Sequence, residues 1–428
     1  MSDVKLPSID DFIDGELSEL ESLVNEEITQ EEREEDERAI REEIERILAW
    51  EPPEPKSTEY MIENEFITTG WVGFFHLDRI LTDAIVMGAS DVHITANHVV
   101  SMSINGDIVR NTEYMIPDRE IMDQIVTNGI LSNQQQQILN RDLEYDGSYE
   151  LMHGPLKGRR TRINVGLSFS NYFIVFRIIN DYIPSIEEIG LEDEILEWAE
   201  YPSGLFMLCG PTGTGKSTSL AAIIQNIQQT KSKKIITIEN PIEYIYSDDE
   251  PSLVVQREVG GDTRGFYEGL TSAMRQNPDV ILLGEVRNTE EVTELLRAAE
   301  TGHLAISTMH TNSVPTTINR IQNLFEGNEQ RRIMSTLADT LRGLGNQVLV
   351  KTPDNNGRFA VRELLTINSE IKDYILKGDI RAIRNYQERH GLTMEHGLAK
   401  AVREGKCTRD EAFRHTVYPD YLRELLDS

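Results

Sequence analysis

Apolar and polar positions alternate with two different periods along this chain, and the change of period marks its parts. Residues 205–209, 234–239, 280–283 and 304–308 are short, nearly continuous apolar runs. Between them, residues 217–230, 263–276 and 289–300 place apolar side chains at helical spacing. Strands that alternate with helices of this length predict a parallel sheet covered on both faces. A further β-rich run falls near 253–257, and an amphipathic helix is expected over 186–198.

Upstream of that helix the pattern is mixed. Leu77, Ile80, Leu81, Ala84 and Ile85 share one face of a helix that Gly88 would end. The run 89–94 and the run 99–104 then lead into Asn105-Gly106, a hairpin signal, with 107–109 as the return strand. Two more β-rich runs follow at 161–167 and 172–179. After about residue 366 the strands stop. Ile371, Ile375, Ile380 and Ile383 supply helical stripes, and Thr408 with Glu411 forms a capping box, so a small helical bundle is expected there.

These shifts suggest four regions: an acidic tail and linker at 1–58, a smaller α/β domain at 59–183, the parallel-sheet domain at 184–365, and a helical region at 366–428. Residues 1–50 carry eighteen acidic and five basic side chains. Such a block reads either as a solvated tail or as a docking segment for a basic partner, with Ile40, Ile44, Ile47 and Leu48 spaced for a helix at its end. Glu51-Pro52-Pro53-Glu54-Pro55 reads as a stiff linker.

Charge narrows the list of partners. The net charge is −31 over 428 residues, so the chain has no general attraction to phosphate backbones, and nucleic acid is not expected as the main partner. Only two cysteines occur, Cys209 and Cys407, which argues against a disulfide framework and a four-cysteine zinc site. The N-terminus lacks a signal-peptide core, and no run approaches the ~18 apolar residues of a spanning helix; a soluble, cytoplasmic protein is expected.

Candidate chemistry begins at Gly210-Pro211-Thr212-Gly213-Thr214-Gly215-Lys216-Ser217-Thr218, a complete phosphate loop between a strand and a helix. Its glycines allow backbone N–H groups to surround phosphate oxygens, and the helix adds the positive end of its dipole. Lys216 would reach the β- and γ-phosphates, and the Ser217 hydroxyl would ligate Mg²⁺. A nucleoside triphosphate and Mg²⁺ are therefore the expected ligands.

Three further clusters bear on hydrolysis. Glu239 and Glu243 follow a strand of the sheet, where one carboxylate could orient the attacking water; otherwise both are surface loop residues. Val280-Ile281-Leu282-Leu283-Gly284-Glu285 looks like a Walker B strand in which glycine stands where an aspartate is usual, leaving Glu285 to supply the charge near Mg²⁺. His310, Thr311 and Asn312 end another strand and could hydrogen-bond the γ-phosphate, whereas His303 precedes that strand.

Taken together, the phosphate loop, Ala89-Ser90-Asp91-Val92-His93-Ile94, the acidic box from Thr237 to Glu243, Gln256-Arg257-Glu258-Val259, Arg275-Gln276-Asn277-Pro278-Asp279, Gly284-Glu285-Val286-Arg287 and the segment from Thr301 to Asn312 resemble the hexameric type II/type IV secretion and type IV pilus ATPase family. The likeness is greatest to the pilus-retraction branch. It implies a PAS-like N-terminal α/β domain, a RecA-like ATPase domain with a helical C-terminal tail, six copies in a ring, and ATP in the cleft between the two domains. It further implies Glu243 as general base, Glu285 as Walker B acid, His303 and His310 as His-box residues, and Arg162 and Arg177 as arginines that complete the site. The implied work is pilus retraction or a related type IV secretion task, done on an inner-membrane platform protein from the cytoplasmic side. Two positions depart from the family: Asn240 stands where an acid is usual, and an arginine common after Asn164 is missing. A nucleotide-switched assembly scaffold and a nucleic-acid translocase are the competing readings.

Overall fold

The computed structural model describes residues 38, 41–42, 44–50, 71–72, 75–104, 107–116, 119–179, 182–247, 250–353 and 357–427. The acidic block up to residue 37, the proline-rich linker at 51–55 and the Asn105-Gly106 turn lie outside them. The chain divides into two compact units, 1–181 and 182–428.

The first unit is built on a six-stranded antiparallel sheet. Its spatial order is Asp107–Met115, Val99–Ile104, Ala89–Thr95, Asn171–Ile178, Arg160–Ser168 and Glu144–Glu150. Alternation along the strands puts Val92, Ile94, Val100, Met102, Ile163, Val165, Ile174 and Phe176 into one core. Helix Leu77–Val86 lays Leu77, Ile80, Leu81 and Ala84 on that core and stops before Gly88, whose φ of +67° suits glycine. Asp78 of this helix is fully buried and accepts hydrogen bonds from the Tyr149 hydroxyl at 2.8 Å and the His153 N–H at 2.9 Å. His93 is a satisfied strand residue, 3.1 Å from the Ser103 hydroxyl.

The second unit carries a seven-stranded sheet in the order Leu253–Glu258, Lys234–Glu239, Val280–Leu283, Leu304–Ser307, Gly204–Cys209, Leu341–Lys351 and Arg358–Thr366. All neighbours are parallel except the last pair. The phosphate-loop strand, Gly204–Cys209, is buried at all six positions, as its continuous apolar run requires. Leu205, Met207 and Cys209 face one core layer; Phe206 and Leu208 face the other.

Two expected helices are shorter than their sequence patterns. Only Asp193–Ala199 of 186–198 is α-helical, because Gly190 takes φ +55° and ends a hydrogen-bonded turn over residues 185–191. Likewise Phe266–Ala273 replaces 263–276, since Gly265 is extended and Thr263 bridges back to Val259.

The C-terminal helices pack both on one another and on the sheet. Ile371, Ile375 and Ile383 join the main core beside Leu337, Leu344 and Leu365. Met394, Leu398, Ala412 and Leu422 instead cover Val348, Val350 and Val361 on the antiparallel edge of the sheet.

Candidate functional site

Parallel strands deliver their C-terminal ends to one edge of the sheet, and the polar residues that follow them meet there. A cavity of about 560 Å³ opens at this edge of the second unit, lined by Thr212 to Thr218, Glu239, Asn240, Glu243, Glu285 and His310 among others. The sequence places these residues on four different strand ends.

Loop geometry follows from its glycines. Gly213 and Gly215 have φ of +77°, and Gly210 has φ +151° with the Gln347 carbonyl oxygen 2.4 Å from where a Cβ would stand. No side chain fits at Gly210 without moving the next strand. Helix Lys216–Thr230 starts directly after Gly215, so its free N–H groups face the cavity. The Lys216 ammonium lies within the loop, donating to Gly210 O at 2.8 Å and Pro211 O at 2.7 Å. Burial lowers its pKa from the usual lysine value. A cation held this way in a partly desolvated cradle is suited to oxygens that carry more charge than carbonyls do.

Glu243 is an exposed residue of the cavity wall, and its neighbours are pinned. The Ile242 N–H donates to Glu258 at 3.3 Å; Gln256 donates to Tyr244 O at 2.7 Å and accepts from the Tyr246 N–H at 3.2 Å. The strand Leu253–Glu258 thus fixes the backbone on both sides of Glu243 while Glu243 itself stays exposed on the cavity wall. Glu239 is different: it is bonded to the Thr237 hydroxyl at 2.6 Å, and burial pushes its pKa up to about 7.

Glu285 stands behind Gly284, whose N–H bonds Ile238 O at 2.8 Å. A Cβ at Gly284 would sit 3.2 Å from that carbonyl oxygen, so glycine lets the two strand ends approach closely. Both carboxylate oxygens of Glu285 are held, one by the Arg287 guanidinium and the other by His310 Nε2 at 3.1 Å. Burial, then the nearby Lys216 charge, lowers the His310 pKa below the ordinary imidazole value, against the opposing pull of the Gly210 backbone. His303 lies at the opposite end of its strand, 3.0 Å from Ala298 O, beyond reach of the cavity lining. The structure therefore separates the two histidines that the sequence motif groups together.

A family model described as type II/IV secretion system protein matches residues 74–414. The chain belongs to this family. It is 35% identical over 315 residues to a twitching motility protein of Neisseria gonorrhoeae, covering 73% of this chain and 82% of that one. It is 32% identical over 348 residues to the type IV pilus retraction ATPase PilT of Pseudomonas aeruginosa, covering 80% and 99%. Among solved structures, the pilus retraction motor PilT with bound ADP aligns with TM-score 0.75 and 35% identity over 81% of this chain and 99% of that one. The Legionella pneumophila ATPase DotB aligns with TM-score 0.65 and 29% identity over 78% and 94%.

For a type II/IV secretion family member, Mg²⁺ is the metal to test against the residues present. Ser217 offers a hydroxyl and Glu285 a carboxylate on the same cavity, a hard-oxygen set. No group of three or more His, Cys, Asp or Glu side chains suited to a metal occurs among the described residues.

Arg162 and Arg177 belong to the first unit. They sit opposite each other on adjacent strands, Arg162 3.7 Å from Asp146 and Arg177 2.9 Å from Asp91. The polar assembly under the phosphate loop, Gln347, Arg362 and Ser219, has no sequence signature, because single polar letters inside apolar runs look like interruptions.

Proposed function

We propose that this chain is an ATP-hydrolysing motor, working as a homo-hexamer on the inner-membrane platform of a pilus-retraction or related type IV secretion machine from the cytoplasmic face. The convergence of phosphate loop, Glu243, Glu285 and His310 on one cavity carries the reading. The likeness to proteins named as pilus retraction ATPases supplies the kind of machine.

The loop N–H groups and Lys216 bind and orient the phosphates. Glu243 accepts a proton from water as the water oxygen bonds to the γ-phosphorus and the bond to the β-phosphate oxygen breaks, releasing ADP and phosphate. Glu285 and Ser217 are the protein groups that would hold Mg²⁺, which when bound neutralises charge on the phosphates. His310 holds Glu285 in place and presents its imidazole to the γ-phosphate side. Arg162 and Arg177 are proposed, from the family resemblance, as cations that neutralise transition-state charge. Among the described residues no helix is long and apolar enough to cross a membrane.

A nucleotide-switched scaffold is the second reading, favoured by Asn240 on the cavity wall where the family usually has an acid. Phosphate release by the purified full chain separates the two. Turnover that rises with assembly and is lost in Lys216→Ala is expected; an assembled chain that binds ATP without releasing phosphate would establish the scaffold instead.

A further inference from the structure

Three buried polar side chains lie directly beneath the phosphate loop, outside the cavity it lines. Gln347 and Ser219 are 1% and 2% exposed, and Arg362 is 7% exposed. Gln347 is central. Its Nε2 donates to the Thr214 carbonyl at 2.6 Å, while its Oε1 accepts from the Ser219 hydroxyl at 2.9 Å and from Arg362 Nε at 2.7 Å. Arg362 is anchored in turn by Glu192 Oε2 at 2.9 Å and Gly190 O at 3.1 Å, in the segment that leads into the sheet.

Peptide geometry gives this assembly a consequence at the loop. A peptide unit is planar and trans, so its C=O and N–H point in opposite directions. Drawing the Thr214 carbonyl down onto Gln347 therefore turns the Gly215 N–H up, towards the cavity that Thr214 and Gly215 line and Gln347 does not. Gly215 takes φ +77°, and a Cβ there would stand 3.2 Å from Gln347 Nε2. The backbone oxygen of the same Gln347 faces Gly210 at the other end of the loop. One residue thus sets the position of both ends.

We propose that Gln347, braced by Ser219 and Arg362, is the positioning residue that aims the Gly215 N–H at the nucleotide phosphates. This inference rests on the reading of the cavity as a nucleotide site. A merely structural role would be to tie a strand to a helix, and it predicts effects on stability alone.

Gln347→Glu separates the two. The carboxylate keeps the acceptor for Ser219 and Arg362 but loses the N–H donor to Thr214 and repels its carbonyl. The full chain carrying it, assayed at a temperature where circular dichroism shows it folded, should bind ADP with Mg²⁺ about tenfold more weakly by titration calorimetry. KM for ATP should rise in parallel while kcat at saturation stays within about twofold, since the lost interaction is shared by ground and transition states. Ser219→Ala, a smaller change that removes one brace, should weaken ADP about threefold. Parent-like ADP affinity in both variants would overturn the inference while leaving the nucleotide site intact. A parent chain that takes up no ADP would overturn the site and the inference together.

Discussion

His310 Nε2 and Glu285 Oε2 lie 3.1 Å apart, and this contact joins the ends of two neighbouring strands, Val280–Leu283 and Leu304–Ser307, across the mouth of the cavity. The strands are tied a second time by the Thr308 hydroxyl, which donates to Gly284 O at 2.7 Å. Glu285 is thereby held from one side by His310 and from the other by Arg287, so its carboxylate has little freedom to turn. Removing the imidazole releases one of the two restraints.

His310→Ala should accordingly lower kcat for ATP by about three- to tenfold, the value of one hydrogen bond, with ADP affinity nearly unchanged. Steady-state phosphate release with parallel ADP titration reads both quantities. An unchanged kcat would remove His310 from the site.

Packing predicts a stability defect at Gly343. A Cβ added there would stand 2.1 Å from the Trp198 indole, which is 1% exposed and bonded through Nε1 to the Thr366 hydroxyl at 3.0 Å. Gly343→Ala should destabilise the second unit by about 1–3 kcal/mol, read as a lower denaturant midpoint. A parent-like midpoint would show that the indole moves aside freely.

The buried Glu363 predicts a pH dependence. Its oxygens accept from Gln387 Nε2 at 2.8 Å and Val314 N–H at 3.2 Å, and burial pushes its pKa from 4.5 up to about 7, with Arg384 opposing and Glu395 adding. Between these values the folded chain keeps a proton that the unfolded chain has lost. Stability contributed by this group therefore falls as pH rises from about 4.5 to 7, on the order of 3 kcal/mol. Glu363→Gln should flatten that slope in denaturation series across the window. An identical slope in parent and variant would assign it elsewhere.

The parallel core, the loop and the acids after its strands were readable because each is a local pattern: an apolar run, then glycine or a carboxylate. Strand Leu341–Lys351 carries no such local pattern. Its Gly343, Asn346 and Gln347 break the apolar run, yet each is explained by a partner distant in sequence: the Trp198 ring, the Thr311 carbonyl and the Thr214 carbonyl. The Gln256 and Glu258 contacts that fix the Glu243 loop were hidden for the same reason, since hydrogen bonds across a sheet have no sequence period. His303 shows the converse. Seven residues from His310, it looks like a partner, but a four-residue strand, Leu304–Ser307, carries it to the other edge of the sheet.

Glu243 is proposed as the base that makes the nucleotide site hydrolytic. Its most direct test is Glu243→Gln in the full chain, with ATP binding and phosphate release measured on the same preparation. Retained ATP affinity with turnover reduced at least about 100-fold is the predicted result. Parent-like phosphate release from the variant would contradict it.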